Sequence, residues 1–149
     1  LGWGVIEGEE DPFLVAYGTL TTPAGQPLAN RLFTLFQKLR TILDDYHPDT
    51  AALEELFFAR NVRTAFAVGQ ARGAILVALA AAGLPVHEYS PLEVKQAVTG
   101  YGRADKRQVQ EMVRALLDLE EIPRPDDAAD ALAVALCHFH SSRTQELWR

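Results

Sequence analysis

Three carboxylates stand where a folded chain has little reason to put them. Glu54 closes the short apolar stretch "TAALE", residues 50–54, and Asp127 and Asp130 open "PDDAADALAVAL", residues 125–136. A carboxylate beside a core is costly unless it is paired, and no arginine lies near Glu54 in the sequence. Asp127 and Asp130 are i and i+3, so they share one helix face. Acids at a helix start favour the dipole and cap the helix. That accounts for Asp126 and in part for Asp127, but poorly for Asp130, which falls in the second turn. Its neighbours Ala128, Ala129 and Ala131 let the helix backbone approach something closely. A strand-end glutamate converging with two helix-start aspartates makes an oxygen-only site. With one cysteine, Cys137, and no convincing histidine pair, such a site suits Mg²⁺ or Mn²⁺ better than Zn²⁺. Metal ligation and plain helix capping both stay open on the residues alone.

The elements that must position these groups can be read from periodicity. "LGWGVIEG" predicts a strand, Gly8 to Pro12 a turn, and Phe13 to Thr22 a second strand forming a hairpin with the first. Leu28, Leu32, Leu35, Phe36, Leu39, Leu43 and Tyr46 recur at helical spacing, and His47-Pro48 ends that helix. Residues 50–54 read as a buried strand. Asn61 can cap a helix running to about Ala82, with Gly83 as its stop. "LPVHEYS" is the next strand. Ser90, Pro91 and Glu93 form a capping box with proline in the first turn of a further helix. "ADKRQVQEMVRALLDL" is another, and Asp126 or Asp127 opens the last. The order β-β-α-β-α-β-α-α-α implies an α/β fold, a mixed sheet covered by helices.

The chain has 149 residues and is 48% hydrophobic, enough for the core of a single domain spanning residues 1–149. The longest apolar run, Gly73 to Gly83, is short for a bilayer and follows Arg72, so no membrane partner is expected. The lone cysteine suits a reducing cytoplasm. Net charge is −6, which argues against a simple nucleic-acid coat. The charge is uneven, however: residues 60–114 carry 8 basic and 4 acidic groups, whereas residues 1–59 carry 3 and 9.

"AALEELFFARN", "VGQARG", "VKQAVTGYGRADK" and "DDAADALAVALCH", in that order, resemble the RuvC family of Holliday-junction resolvases over nearly the whole chain. The resemblance implies a ribonuclease-H-like fold, a homodimer, and divalent-metal-dependent cleavage of four-way DNA junctions in recombination and repair. It places catalytic, metal-binding acids at Glu54, Asp127 and Asp130, with Mg²⁺ or Mn²⁺ as cofactor and two ions per active site. It places DNA-binding residues at Phe57, Lys95 and Lys106; Phe58, Arg60 and Arg103 are further DNA-binding candidates, with Phe58 equally open to a core position. Lys106 stands at a helix start, where backbone N–H groups also suit a phosphate. Phe57 and Phe58 cannot both point inward if the strand continues; the family motif favours Phe57 as the exposed one, stacking on an unpaired base. Gly69 and Gly73 form G-x-x-x-G on the long helix, serving either close packing on the sheet or, as the resemblance suggests, the dimer contact. Partners implied are junction DNA, a second copy, and the branch-migration complex of RuvA and RuvB.

There is one departure. The family begins with a strand reading roughly "GIDPG" whose aspartate is a ligand, and that strand does not precede Leu1 here. The expectation is a longer protein that extends about a dozen residues upstream and supplies this central strand. Rival readings are another ribonuclease-H-like nuclease and an inactive structure-specific DNA-binding module.

Overall fold

The computed structural model describes residues 1–55 and 62–147. Its elements follow the predicted order: β1 (Gly2–Glu7), β2 (Phe13–Thr19), α1 (Leu28–Tyr46), β3 (Ala51–Glu54), α2 (Val62–Ala81), β4 (Val86–Tyr89), α3 (Pro91–Thr99), α4 (Lys106–Leu116) and α5 (Asp126–Leu147). The chain divides into two units. One comprises Leu1–Thr19, Ala52–Glu55 and His87–Arg149; the other comprises Leu20–Ala51 and Leu56–Val86.

In the first unit β1 and β2 form the predicted antiparallel hairpin, with Gly2 opposite Thr19 and a register shift between Val5 and Ile6. Its turn begins at Gly8, whose φ of 146° is open to glycine. β3 pairs with β4. The Ala51 amide donates to the Pro85 carbonyl and the Glu55 amide to that of Tyr89, so the partners advance together and the strands run parallel. The described strands thus make two two-stranded sheets, one antiparallel and one parallel, rather than one continuous sheet.

The core of this unit is built on α5. Leu132 and Leu136 are fully buried, together with Val113, Val94, Val98, Leu117 and Tyr89 from the neighbouring elements. Full burial of each leucine contributes about 1.5–3 kcal/mol. Cys137 lies in the same cluster, 1% exposed, its thiol directed at the Glu93 carbonyl. The predicted capping box starts α3: Ser90 Oγ accepts from the Glu93 amide at 3.1 Å, and the Ser90 amide donates to Glu93 Oε1 at 3.0 Å. A second box, Asp105 with Gln108, starts α4 and fixes its first residue as Lys106.

In the second unit α1 packs on α2. α1 buries Leu35, Leu39 and Leu43, one residue per turn, and ends at His47 in the left-handed conformation. α2 buries Ile75, Ala78 and Leu79 but leaves Val62, Phe66 and Val77 exposed. α2 has 20 residues and a mean hydropathy of 1.5, long and apolar enough by length and composition to cross a membrane. The helix runs back through Arg72 to Val62. Arg72 then sits at mid-helix, the position where a charge is most costly in a bilayer.

Candidate active site

One strand end and three helices build the pocket. β3 ends at Glu54, and the Glu55 amide still donates to the Tyr89 carbonyl at the end of the pair. α5 begins against β1 with no gap. A Cβ on Gly2 would overlap the Asp127 carbonyl, and one on Gly4 would overlap the Leu132 side chain. Glycines two apart on one face of β1 therefore let α5 lie flush on the strand. This fixes the height at which Asp127 and Asp130 emerge. The G-x-G spacing of "LGWGVIE" was the available signal for this contact, and periodicity alone passed over it. At the far side, Gly102 brings the α3–α4 loop onto Leu92, where a Cβ would sit 2.6 Å from Leu92 Cδ1.

The pocket is lined by Glu54, Lys95, Lys106 and Asp130 with Pro91, Val94, Val109 and Ala133, and holds about 230 Å³. Four of the predicted site residues therefore meet: two acids and two lysines, on an apolar base. Asp127 is on the preceding turn of α5, exposed, and outside the lining; its Oδ2 is 3.9 Å from the Leu1 nitrogen. Arg103 is exposed on the α3–α4 loop and also outside the lining. Phe57, Phe58 and Arg60 lie outside the described residues.

The charges divide sharply. Burial raises the Glu54 carboxyl above its ordinary value, the nearby Asp130 charge pushes the same way, and Lys95 opposes them. Burial also raises Asp130, against the pull of Lys106, with Asp127 and Asp126 adding to the rise. Two carboxylates thus crowd one half-buried space and disfavour each other's charge. Lys106 is raised, chiefly by its hydrogen bond to Asp126. The contact of Lys106 Nζ with Asp126 Oδ2, at 3.0 Å, is one that sequence reasoning missed, having left Asp126 as a helix cap. The backbone N–H groups at the start of α4 are also less open to phosphate than expected, because Asp105 takes that of Gln108 at 2.8 Å.

A hard divalent cation fits this donor set in kind: oxygen donors only, crowded carboxylates of like charge, and no arginine in the lining. Among the described residues, however, no three His, Cys, Asp or Glu side chains are close enough together to hold an ion. Glu54 and Asp130 form a two-carboxylate half-site, with Asp127 beside it.

Deeper in the same unit a histidine links α5 to β4. Tyr89 Oη and His138 Nδ1 are 2.7 Å apart, and His87 stacks on His138 at 4.6 Å between ring centres. Burial first, and the His87 charge second, lower His138 below its ordinary value.

Comparison with known proteins gives one answer. The family described as Crossover junction endodeoxyribonuclease RuvC matches residues 1–138. A crossover junction endodeoxyribonuclease RuvC of Chloroflexus aurantiacus is 61% identical over 145 residues, covering 97% of this chain and 88% of that one. The chain is similar in structure to Thermus thermophilus RuvC, with TM-score 0.89, 40% identity, and 97% and 89% of the two chains covered. It is also similar to T. thermophilus RuvC in complex with Holliday junction substrate, with TM-score 0.88, 37% identity, and 96% and 88% covered.

Proposed function

The chain belongs to the RuvC family of crossover junction endodeoxyribonucleases, and from that premise we propose that Glu54, Asp130 and Asp127 form the cutting site of a Holliday-junction resolvase. The family is divalent-metal-dependent; the ion here is Mg²⁺ or Mn²⁺, two per site. The observation that carries the reading is the convergence of Glu54 and Asp130, both with raised carboxyls, on a pocket shared with Lys95 and Lys106.

Phosphodiester hydrolysis needs charge stabilised on the attacking and leaving oxygens. When bound, divalent cations would supply that charge and make a bound water a nucleophile at neutral pH. Glu54 and Asp130 would hold the ions, with Asp127, one turn back, completing the set. Lys95 and Lys106 bind the oxygens of the scissile and adjacent phosphates, and Arg103 meets the backbone further along the strand. The apolar base of Val94, Val109 and Ala133 limits water around the acids, which strengthens their grip on a cation. Phe57 stacks on an unpaired base, as the family motif suggests, and Phe58 and Arg60 are further DNA-contact candidates.

A second copy binds through α2. A Cβ at Gly69 or Gly73 meets no atom within 4 Å among the described residues. The chain's own packing therefore gives no reason for either glycine, although each costs a helix interior about 1 kcal/mol relative to alanine. A flat, partly apolar helix face fits close two-fold packing. Two sites related by that axis cut symmetric strands. The complex works in the cytoplasm with RuvA and RuvB.

The test is Glu54→Gln. Cutting of a synthetic four-way junction in Mg²⁺ should fall by about 10²–10³ or more, while junction binding in EDTA stays near wild type. Equal losses of binding and cutting would make Glu54 structural and sink the reading.

A further inference from the structure

Lys106 and Asp126 stand at the first turns of α4 and α5. Both oxygens of the Asp126 carboxylate are taken by side chains of α4. Oδ2 is 3.0 Å from Lys106 Nζ, and Oδ1 accepts from Gln110 Nε2 at 3.1 Å. Lys106 and Gln110 are i and i+4 on α4, so one carboxylate spans one helix face. A first-turn acid that only served the helix dipole would need neither contact. Lys106 lines the pocket, whereas Asp126 does not. Asp126 thus grips the lysine from outside the space where substrate would lie.

An ammonium has three N–H donors, and Asp126 engages one, leaving two for phosphate oxygens. A free lysine stem would have to be ordered on every encounter. Gln110 fixes the carboxylate's rotation and so fixes where the ammonium is held. The charges of Asp130 and Asp127 also draw on Lys106. A cation held by those two acids would weaken their pull, and Asp126 would still keep the lysine in place. The side chains of the pair are 57% and 64% exposed, so it contributes little to folding. Its two partners are aimed more closely than a random surface pair requires.

We propose that Asp126, tethered by Gln110, is a positioning residue that presents the Lys106 ammonium to a phosphate oxygen of the DNA. This rests on the reading of Lys106 as a phosphate-binding group. The experiment is a double-mutant cycle on single-turnover junction cutting at saturating Mg²⁺, with the side-chain ammonium signal of Lys106 followed by ¹⁵N NMR in the metal-free protein. Asp126→Asn should lower the cutting rate about fivefold, as the loss of one exposed ion pair allows, with KM and melting temperature nearly unchanged. Asp126→Glu should restore part of the rate. In a Lys106→Met background Asp126→Asn should cost nothing further. The Lys106 ammonium signal should broaden through faster hydrogen exchange in Asp126→Asn and, less so, in Gln110→Ala. A full loss persisting in the Lys106→Met background would overturn the proposal, as would an unchanged cutting rate in Asp126→Asn. If Lys106→Met itself cut like wild type, the phosphate role of Lys106 would fail first, and the positioning role with it.

Discussion

Asp126 and Asp130 are the same residue type, one turn apart on one helix, and their surroundings treat them oppositely. Asp126 is exposed, and the Lys106 hydrogen bond lowers its carboxyl below the usual range. Asp130 is also exposed, yet partial desolvation by the chain raises it, against the pull of Lys106. The Asp126 carboxylate is satisfied within the chain, whereas that of Asp130 is not. A complete pair marks a place that organises. An incomplete one marks a place that waits for a cation. The helix dipole favours the first-turn acid but fades by the second turn, so it accounts for Asp126 and leaves Asp130 to the surroundings.

The largest effect that could break this contrast is on cutting. Asp130→Asn should reduce junction cleavage by about 10²–10³, far more than the about fivefold loss expected for Asp126→Asn. Comparable rates for the two variants in one assay would erase the distinction. Next comes stability without metal. Relieving the repulsion between Asp130 and Glu54 should make Asp130→Asn slightly more heat-stable than wild type in EDTA. Asp126→Asn should leave the melting temperature level or slightly lower. Added Mg²⁺ should stabilise wild type and do much less for Asp130→Asn; equal metal-induced shifts would detach Asp130 from the ion.

The smallest effect concerns a charge of the other sign on the same helix. His138 and His140 are both held below their ordinary value of 6.5, first by burial and then by His87 and Arg143 respectively. A depressed folded value means that the unfolded chain takes up these protons first. Their contribution to stability is therefore intact above about pH 6.5 and is lost as pH falls through the folded values. Glu54 and Asp130 act with opposite sign, since their raised values make protonation favour the fold. The measurement is cleanest in the Glu54→Gln/Asp130→Asn variant, by urea midpoints at about pH 7.5 and about pH 5.5. A flat profile would mean that α5 tolerates a charged His138, and that burial is a weaker force along this helix than the Asp130 shift implies.

Much of this was legible before any coordinates. The Ser90–Glu93 box is a local exchange between side chain and backbone, so four residues suffice to read it. Glu54 was legible because an apolar run ends on it, and Asp130 because it falls one turn too late to be a cap. Asp126 was not, because its partners are on another helix, sixteen and twenty residues earlier in the chain. The outward face of α2 was not legible either: the helix is apolar on most sides, and without a polar stripe the 3.6-residue period assigns no face. The division of the strands into two pairs was hidden for a similar reason. Short apolar runs reveal that strands exist but not which neighbours they take.

Cys137 has one more use. It is the single cysteine of the sequence and lies sealed among α5, α3 and β4, two turns below Asp130. Burial raises its thiol above the ordinary value, so it is unreactive while the packing holds. A thiol reagent can reach it only when α3 and α5 part. The chain therefore carries its own clock: the labelling rate of Cys137 counts the openings of the layer beneath the active site, with no probe added to the surface that meets DNA.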